Sequence, residues 1–464
     1  MAPVTELPIT SYLIRGGAVI TADRSLGTMP KADVLVRDGL IEQVAVGIEV
    51  NDVEVIDAAN MIVMPGMIDS HFHMWSSLGR NFIGDGHEYF AAKWATAALY
   101  SPDDFYHSVR LGLAELANGG VTTVHNWSHN NRSPAHVDAE LKAHRDSGLR
   151  ARYALGHIDR LAVDEVNRFD DLPRVRAEWF DDGVRLGGLV HLGVNLRGGI
   201  QSNLDVFFRE MEMMLKLKLP VAIHGSQEAP NMDDAADYER RGFLGPNFLI
   251  CHFIAADDSD REAMARTKTP LSYSTHSELR LSSTGDPRRA LMKMRGAGVR
   301  ISLSSDATSL GPPNMFENMR LTWNAGVPWK ETDTSHLGPI GMPEVIEMAT
   351  INGAIALGLG DVTGSLTPGK QADIILIRSD DLNTAPLANI ETAVVMGASP
   401  ANVDSVMVRG RLVKRSGKLI GLDVPHIVRN AKKSAMRIRT AAGDWLAPQC
   451  AGCDGNAVFR ASAC

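Results

Sequence analysis

The sequence predicts an α/β protein: a (β/α)8 TIM barrel inserted into a small composite β-sandwich domain. Three observations lead there. From Val63 onward, eight short apolar strands alternate with helical runs, an alternation that implies a parallel barrel. Strand-rich segments without a helical period flank it on both sides. The polar residues best suited to chemistry fall at the strand ends, where a barrel keeps its active site.

The chain of 464 residues accommodates a barrel of about 250 residues and an accessory domain. A hydrophobic content of 44%, with 22% charged residues, describes an ordinary globular protein. A net charge of −8 argues against a general nucleic-acid binder. No segment has the length and apolarity of a membrane span, and Met1 to Thr10 lacks the pattern of a signal sequence. The four cysteines, Cys251, Cys450, Cys453 and Cys464, make no disulfide framework, so a reducing cytoplasm is expected. The terminal Cys-x-x-Cys lacks the second pair of a structural zinc site. The expected partner is a small-molecule substrate, with neither nucleic acid nor membrane, and the expected assembly is a homo-oligomer.

Residues 1–63 form the first half of the small domain. Strands are expected at Leu13-Ile14, Ala18 to Ile20, Val34 to Val36, Ile41 to Val46 and Val53 to Ile56, with turns at Gly16-Gly17 and Asp38-Gly39. Residues 64–360 hold the barrel. Met61 to Met64 and Met67 to Ile68 read as one buried strand broken by a Pro-Gly turn signal, ending in His71 and His73. On a strand, residues two apart share a face, so both imidazoles can reach one point, as a metal requires. The following strands are Val121 to Val124, Ala151 to Leu155, Leu189 to Leu196, Val221 to Ile223, Phe248 to Ile250, Leu271 to Ser274 and Val299 to Ser304. Helices are expected at Pro134 to His144, Leu204 to Leu217, Arg261 to Thr267 and Pro287 to Met294.

His125 and Asn126 end the second strand, Asn195 and Arg197 the fourth. His224 follows the fifth, His252 the sixth and Asp306 the eighth. This regularity, more than any single motif, carries the functional argument. Helices are then expected at Asn314 to Asn324 and Pro343 to Leu357. Strands return in residues 361–424, the second half of the small domain, at Ala372 to Ile377, Ile390 to Met396 and Val403 to Val413. Residues 425–464 form a basic terminal helix, patterned over Val424 to Ala442, and a tail.

Four blocks carry a family resemblance: Pro65-Gly66-Met67-Ile68-Asp69-Ser70-His71-Phe72-His73; Gly120-Val121-Thr122-Thr123-Val124; the spaced His224, His252 and Asp306; and Ala349 to Ala354 continuing to Gly364-Ser365-Leu366-Thr367-Pro368-Gly369-Lys370-Gln371-Ala372-Asp373. On these the chain resembles the amidohydrolase superfamily, in the branch of atrazine and hydroxyatrazine hydrolases, cytosine deaminase and guanine deaminases. Asn126-Trp127-Ser128-His129 and an irregular region from Ser274 to Arg280 look closer to molinate and phenylurea hydrolases.

The resemblance, with the strand-end geometry, implies that His71, His73, His224 and Asp306 bind one divalent ion: Zn²⁺, with Co²⁺, Fe²⁺ or Mn²⁺ as alternatives. Such an ion lowers the pKa of a water from about 15.7 to roughly 7. Asp306 would take the proton and hand it to the leaving group, and His252 would stabilise developing charge. Binuclear members bridge their metals with a carboxylated lysine on the fourth strand. Val190 to Arg197 holds none, so one ion is expected. Trp75, Asn126, Trp127, Asn195, Arg197, Gln227 and Phe253 are the candidate substrate contacts, with Phe72 and Tyr273 as further apolar walls. Arg197 could equally make a structural ion pair.

Members of this branch that deaminate cytosine or guanine rings carry a glutamate three residues after the histidine matching His224, where this chain has Gln227. A carboxamide cannot exchange a proton near neutral pH. The expectation is therefore hydrolysis of a small apolar amide, urea, carbamate or thiocarbamate. The alternative is deamination of a heteroaromatic ring, with the neighbouring Glu228 as the acid. A non-catalytic scaffold on the same fold would be expected to lack metal ligands, and all five key positions are present.

Overall fold

Pro65 and Gly66 divide the first long apolar stretch between two sheets rather than bending one strand. Met61–Pro65 belongs to the accessory sheet and Met67–Phe72 opens the barrel. Only glycine fits between them, since a Cβ on Gly66 would lie 2.1 Å from Thr122 Oγ1. The computed structural model describes residues 8–82, 89–226, 233–282, 285–329 and 333–443.

The barrel strands are β1 (Met67–Phe72), β2 (Val121–Ser128), β3 (Arg150–Leu155), β4 (Val190–Asn195), β5 (Val221–Gly225), β6 (Phe248–His252), β7 (Leu271–Tyr273) and β8 (Ile301–Leu303). They neighbour one another in sequence order, all parallel. The seam between β1 and β8 is closed at its carboxyl end by the residues of interest. Asp306 donates its N–H to His71 O at 2.9 Å, and His73 N–H reaches Asp306 O at 2.7 Å. Lower down, side chains bridge the seam: Ser70 Oγ donates to Leu303 O at 2.9 Å and meets Ser272 and Ser302.

The accessory strands form one continuous nine-stranded sheet from both flanks of the barrel. Met61–Pro65 pairs antiparallel with Ile374–Arg378, which joins Tyr12–Ile20, Thr28–Arg37 and Leu40–Ala45 to Val403–Val408, Arg411–Arg415 and Lys418–Leu419, and Glu54–Asp57 pairs parallel with Tyr12–Ile20. A fully buried ion pair docks sheet to barrel. Arg150, opening β3, places Nε 2.8 Å and Nη2 3.0 Å from the two oxygens of Asp373. Thr363 Oγ1 and the Arg409 N–H complete the carboxylate's partners.

Four local expectations change. Gly16-Gly17 is not a turn between two strands but a bulged stretch within one, Tyr12–Ile20. Ile390 to Met396 is not a strand but a helix, Ile390–Thr392, running on into Ala393–Gly397. A short apolar run does not distinguish the two by period, and the Asn389 cap on Thr392 N–H decides it. Residues 274–280 are not irregular: Thr275–Leu281 is helical. Pro343 to Leu357 is two helices, Met342–Met348 and Ile351–Ala356. The terminal helix Val424–Ala442 packs on Pro102–Asn118, with Arg437 bonded to Asp104.

Candidate metal centre

Four barrel elements converge at the carboxyl ends of the strands. β1 delivers His71 and leads straight into His73, β5 carries His224, β6 ends in His252, and the turn after β8 presents Asp306. His71 is fully buried, and His73, His252 and Asp306 are at most 5% exposed. His252 and Asp306 have φ of +71° and +61°, a left-handed backbone costing a residue with a Cβ about 1–2 kcal/mol. At Asp306 the two seam hydrogen bonds hold that turn in place. Asp69 holds it from behind, its Oδ1 accepting the N–H groups of Ser305 at 3.0 Å and His71 at 3.3 Å.

Asp306 Oδ1 lies 3.2 Å from His73 Nε2 and 3.3 Å from His71 Nε2, while His224 Nε2 lies 3.3 Å from His73 Nε2. Ligand atoms of His71, His73 and His224 lie within 4.8 Å of one another, as do those of His71, His252 and Asp306. Burial pushes His71 down to about 4 and holds His73 and His224 well below the ordinary imidazole value. The three rings are thus neutral at pH 7 and offer bare nitrogens. Burial opposes ionisation of Asp306, but the charged His252 ring beside it favours the carboxylate, and its pKa stays well down. Neither nitrogen of His71 has a hydrogen-bond partner among the described residues. A buried cluster of acceptors facing acceptors is costly unless a cation sits among them, and three imidazoles with one carboxylate suit a divalent ion.

His252 is held differently. Its Nδ1 lies 2.9 Å from Glu278 Oε1, which also accepts the Ser274 N–H at 3.0 Å. Burial alone would depress its pKa; the Glu278 carboxylate outweighs that and pushes it up to about 9. With Nδ1 committed to Glu278, Nε2 is the nitrogen left for the cluster.

The remaining candidates divide. Trp127 points into the barrel, its ring 4.1 Å from that of His224 and 4.7 Å from that of His71. Trp75 lies against the site, its Nε1 donating to His129. Phe253 is 1% exposed and packs over Gly225. Phe72 and Tyr273 are buried, the latter bonded through its hydroxyl to Pro287 O. Asn126 is a correction: its amide donates to His144 Nε2 at 3.0 Å on the outer helix Pro134–Ser147. β2 runs on to Ser128, so His125 and Trp127 face inward and Asn126 outward. Arg197 is a second correction, because its guanidinium binds Glu210, 2.9 Å away, and the carbonyls of Ala162 and Glu165. Asn195 is fully buried and donates to Ala154 O at 2.7 Å. Gln227 lies outside the described residues.

Sequence reasoning passed over His129, Asp159, Lys93 and Glu278. His129 Nδ1 lies 3.3 Å from His73 Nδ1, its Nε2 lies 3.5 Å from Asp159, and Lys93 pairs with Asp159 at 3.2 Å. The period-two run His125, Trp127, His129 was the signal for the first. Glu278 was hidden in the stretch read as irregular. Beyond His129, whose ring is 5.9 Å from that of His157, a groove of about 740 Å³ is bordered by His157, Arg132, Asp164 and Arg168 among others.

The family model described as "Amidohydrolase family" matches residues 62–413. Among curated proteins, the chain is 25% identical over 444 residues to a 5-methylthioadenosine/S-adenosylhomocysteine deaminase of Caldicellulosiruptor saccharolyticus, covering 90% of this chain and 97% of that one. It is 26% identical to a 5'-deoxyadenosine deaminase of Methanosarcina mazei, covering 92% and 98%. Among solved structures it is similar to a zinc-bound adenosine deaminase from Xanthomonas campestris, with TM-score 0.81, 21% identity and coverage of 93% and 99%. It is also similar to atrazine chlorohydrolase TrzN from Arthrobacter aurescens TC1 complexed with zinc, with TM-score 0.78, 20% identity and coverage of 91% and 100%.

Proposed function

The chain belongs to the amidohydrolase family, and from that premise we propose that it is a divalent-metal-dependent aminohydrolase removing an exocyclic amino group from a heteroaromatic ring of the adenosine type. The observation that carries this is the buried cage of His71, His73, His224 and Asp306, with the His252–Glu278 pair at its edge. The two curated relatives named above are deaminases of adenine nucleosides and span nine-tenths of the chain. The polar groove beside His129 suits a nucleoside better than a small apolar compound. The carbonyl-hydrolase expectation has less support than this alternative. What still favours it is Gln227 in place of a glutamate.

Those four residues would hold a divalent ion of the zinc type, which would lower the pKa of a water enough to supply hydroxide at neutral pH. Asp306 accepts the proton of the attacking water and returns it to the departing amine, which leaves as ammonia. Glu278 fixes the ring of His252, so that its Nε2 meets the oxygen that adds to the ring carbon. Ring deamination also needs an acid at the adjacent ring nitrogen, and the sequence supplies Glu228 beside Gln227.

The test is a substrate panel at one fixed zinc loading. Adenosine, 5'-deoxyadenosine, 5'-methylthioadenosine and aminotriazines are set against N-aryl ureas, thiocarbamates and simple amides. Ammonia release from an adenine nucleoside, lost in Glu228→Gln, is the expected outcome. Faster turnover of any carbonyl compound than of every ring amine would return the assignment to the carbonyl reading.

A further inference from the structure

Trp75 Nε1 donates to His129 Nδ1 at 3.0 Å. An indole N–H can only donate, so this nitrogen of His129 is a bare acceptor and the ring carries its proton on Nε2, towards Asp159 Oδ1 at 3.5 Å. The carbonyl of Trp127, at 3.4 Å from the same Nδ1, is the longer contact and does not reverse the assignment. His73 Nδ1 stands 3.3 Å from that bare nitrogen. Two bare nitrogens at this distance repel, so the geometry favours Nδ1–H on His73, sharing at longer range the lone pair that Trp75 already reaches. Its Nε2 is then unprotonated, and that is the nitrogen 3.2 Å from Asp306 Oδ1 and 3.3 Å from His224 Nε2.

We propose that His129 is a positioning residue for the metal ligand His73: the array Trp75–His129–Asp159 sets the tautomer of His73 so that a bare Nε2 faces the ion. The inference rests on the metal-centre reading and concerns the second rank of residues around it. A metal-binding imidazole ordinarily gives its other N–H to a carboxylate or a backbone carbonyl. Here the acceptor is another histidine, whose tautomer is itself dictated by an indole. Lys93, on the helix Tyr89–Ala97, closes the array by pairing with Asp159 at 3.2 Å. The array is well shielded: His129 is 2% and Asp159 7% exposed. Part of the metal affinity thus derives from a helix that carries no ligand.

The experiment measures metal affinity rather than turnover. Wild-type protein, His129→Leu and His129→Asn are titrated with Zn²⁺ against a competing chelator, and the absorption bands of the Co²⁺-loaded forms are recorded. Leucine removes the acceptor, whereas the asparagine oxygen stands near the place of Nδ1 and restores it. Expected are a loss of about 10–100-fold in zinc affinity with a changed cobalt spectrum for His129→Leu, and affinity within about threefold of wild type for His129→Asn. Folded His129→Leu with wild-type affinity and spectrum overturns the inference, as does an equal loss in both variants. Should His129→Leu not fold, Trp75→Phe carries the test, because it keeps the packing and removes only the N–H that fixes the tautomer. A changed cobalt spectrum supports the array, and an unchanged one overturns it. A wild-type chain that binds no divalent ion defeats the metal-centre reading instead, so the two failures are distinct.

Discussion

Asp373 and Asp306 are both buried carboxylates, placed at opposite ends of the barrel, and their surroundings contrast. At the junction with the accessory sheet, both oxygens of Asp373 are filled by donors: Arg150, Thr363 and the Arg409 N–H. One guanidinium nitrogen, Arg150 Nη1, is left over. At the other end, Asp306 faces imidazole nitrogens that are themselves bare at neutral pH, and His71 has no hydrogen-bond partner among the described residues. A buried charge whose partners are complete is a fastening. A buried charge among acceptors is arranged for something that arrives later.

The contrast can be broken by substitution at each end. Asp306→Asn removes a ligand and the proton carrier together, and should lower kcat by at least about 10²–10⁴-fold in steady-state assays. Retention of a tenth of the activity would move the proton transfer elsewhere. Asp373→Ala leaves Arg150 buried without its partner, and should cost about 3–5 kcal/mol in denaturant unfolding. The folded fraction should bind metal as wild type does. A loss of metal affinity in that folded fraction would show that the two ends are coupled.

Smaller effects sharpen the same comparison. Glu278→Gln leaves the cage intact but releases the orientation of His252; kcat should fall by about 10–100-fold with zinc affinity nearly unchanged. Equal losses in both would make Glu278 part of the metal shell. Asn126→Leu belongs with the fastening, since it leaves His144 without its donor. It should cost about 1–3 kcal/mol of stability in thermal unfolding, and KM should stay within about twofold. A large rise in KM would return Asn126 to the substrate face.

Much of this was legible in the sequence because barrel strands are short, apolar and regularly spaced, so the residue after each marks the rim. His71, His73, His224, His252 and Asp306 were found that way, and the structure brings them together. Asn126 misleads because ending its strand one residue early turns a wall-facing amide into a rim residue, and for Arg197 the structural ion pair, not the substrate contact, is the alternative that holds. One more turn of the two-residue period in β2 puts Asn126 outside and His129 inside. Arg197 finds Glu210 thirteen residues on. Lys93 and Asp159 come from separate connections and meet only in the folded chain, so no local pattern announces either. Ile390 to Gly397 misled because four apolar residues in a row satisfy either period, and the deciding residue, Asn389, lies just outside the run.

The central claim is that the cage holds a single divalent ion, and elemental analysis of the metal-saturated, dialysed chain tests it most directly. One tightly held ion per chain is expected in the wild type, and less than about a tenth of that in the double variant His71→Ala/His224→Ala with folding intact, since only two of the four ligands then remain and a catalytic site of this kind needs three. Two tightly held ions per chain in the wild type, or full occupancy in the folded double variant, would contradict it.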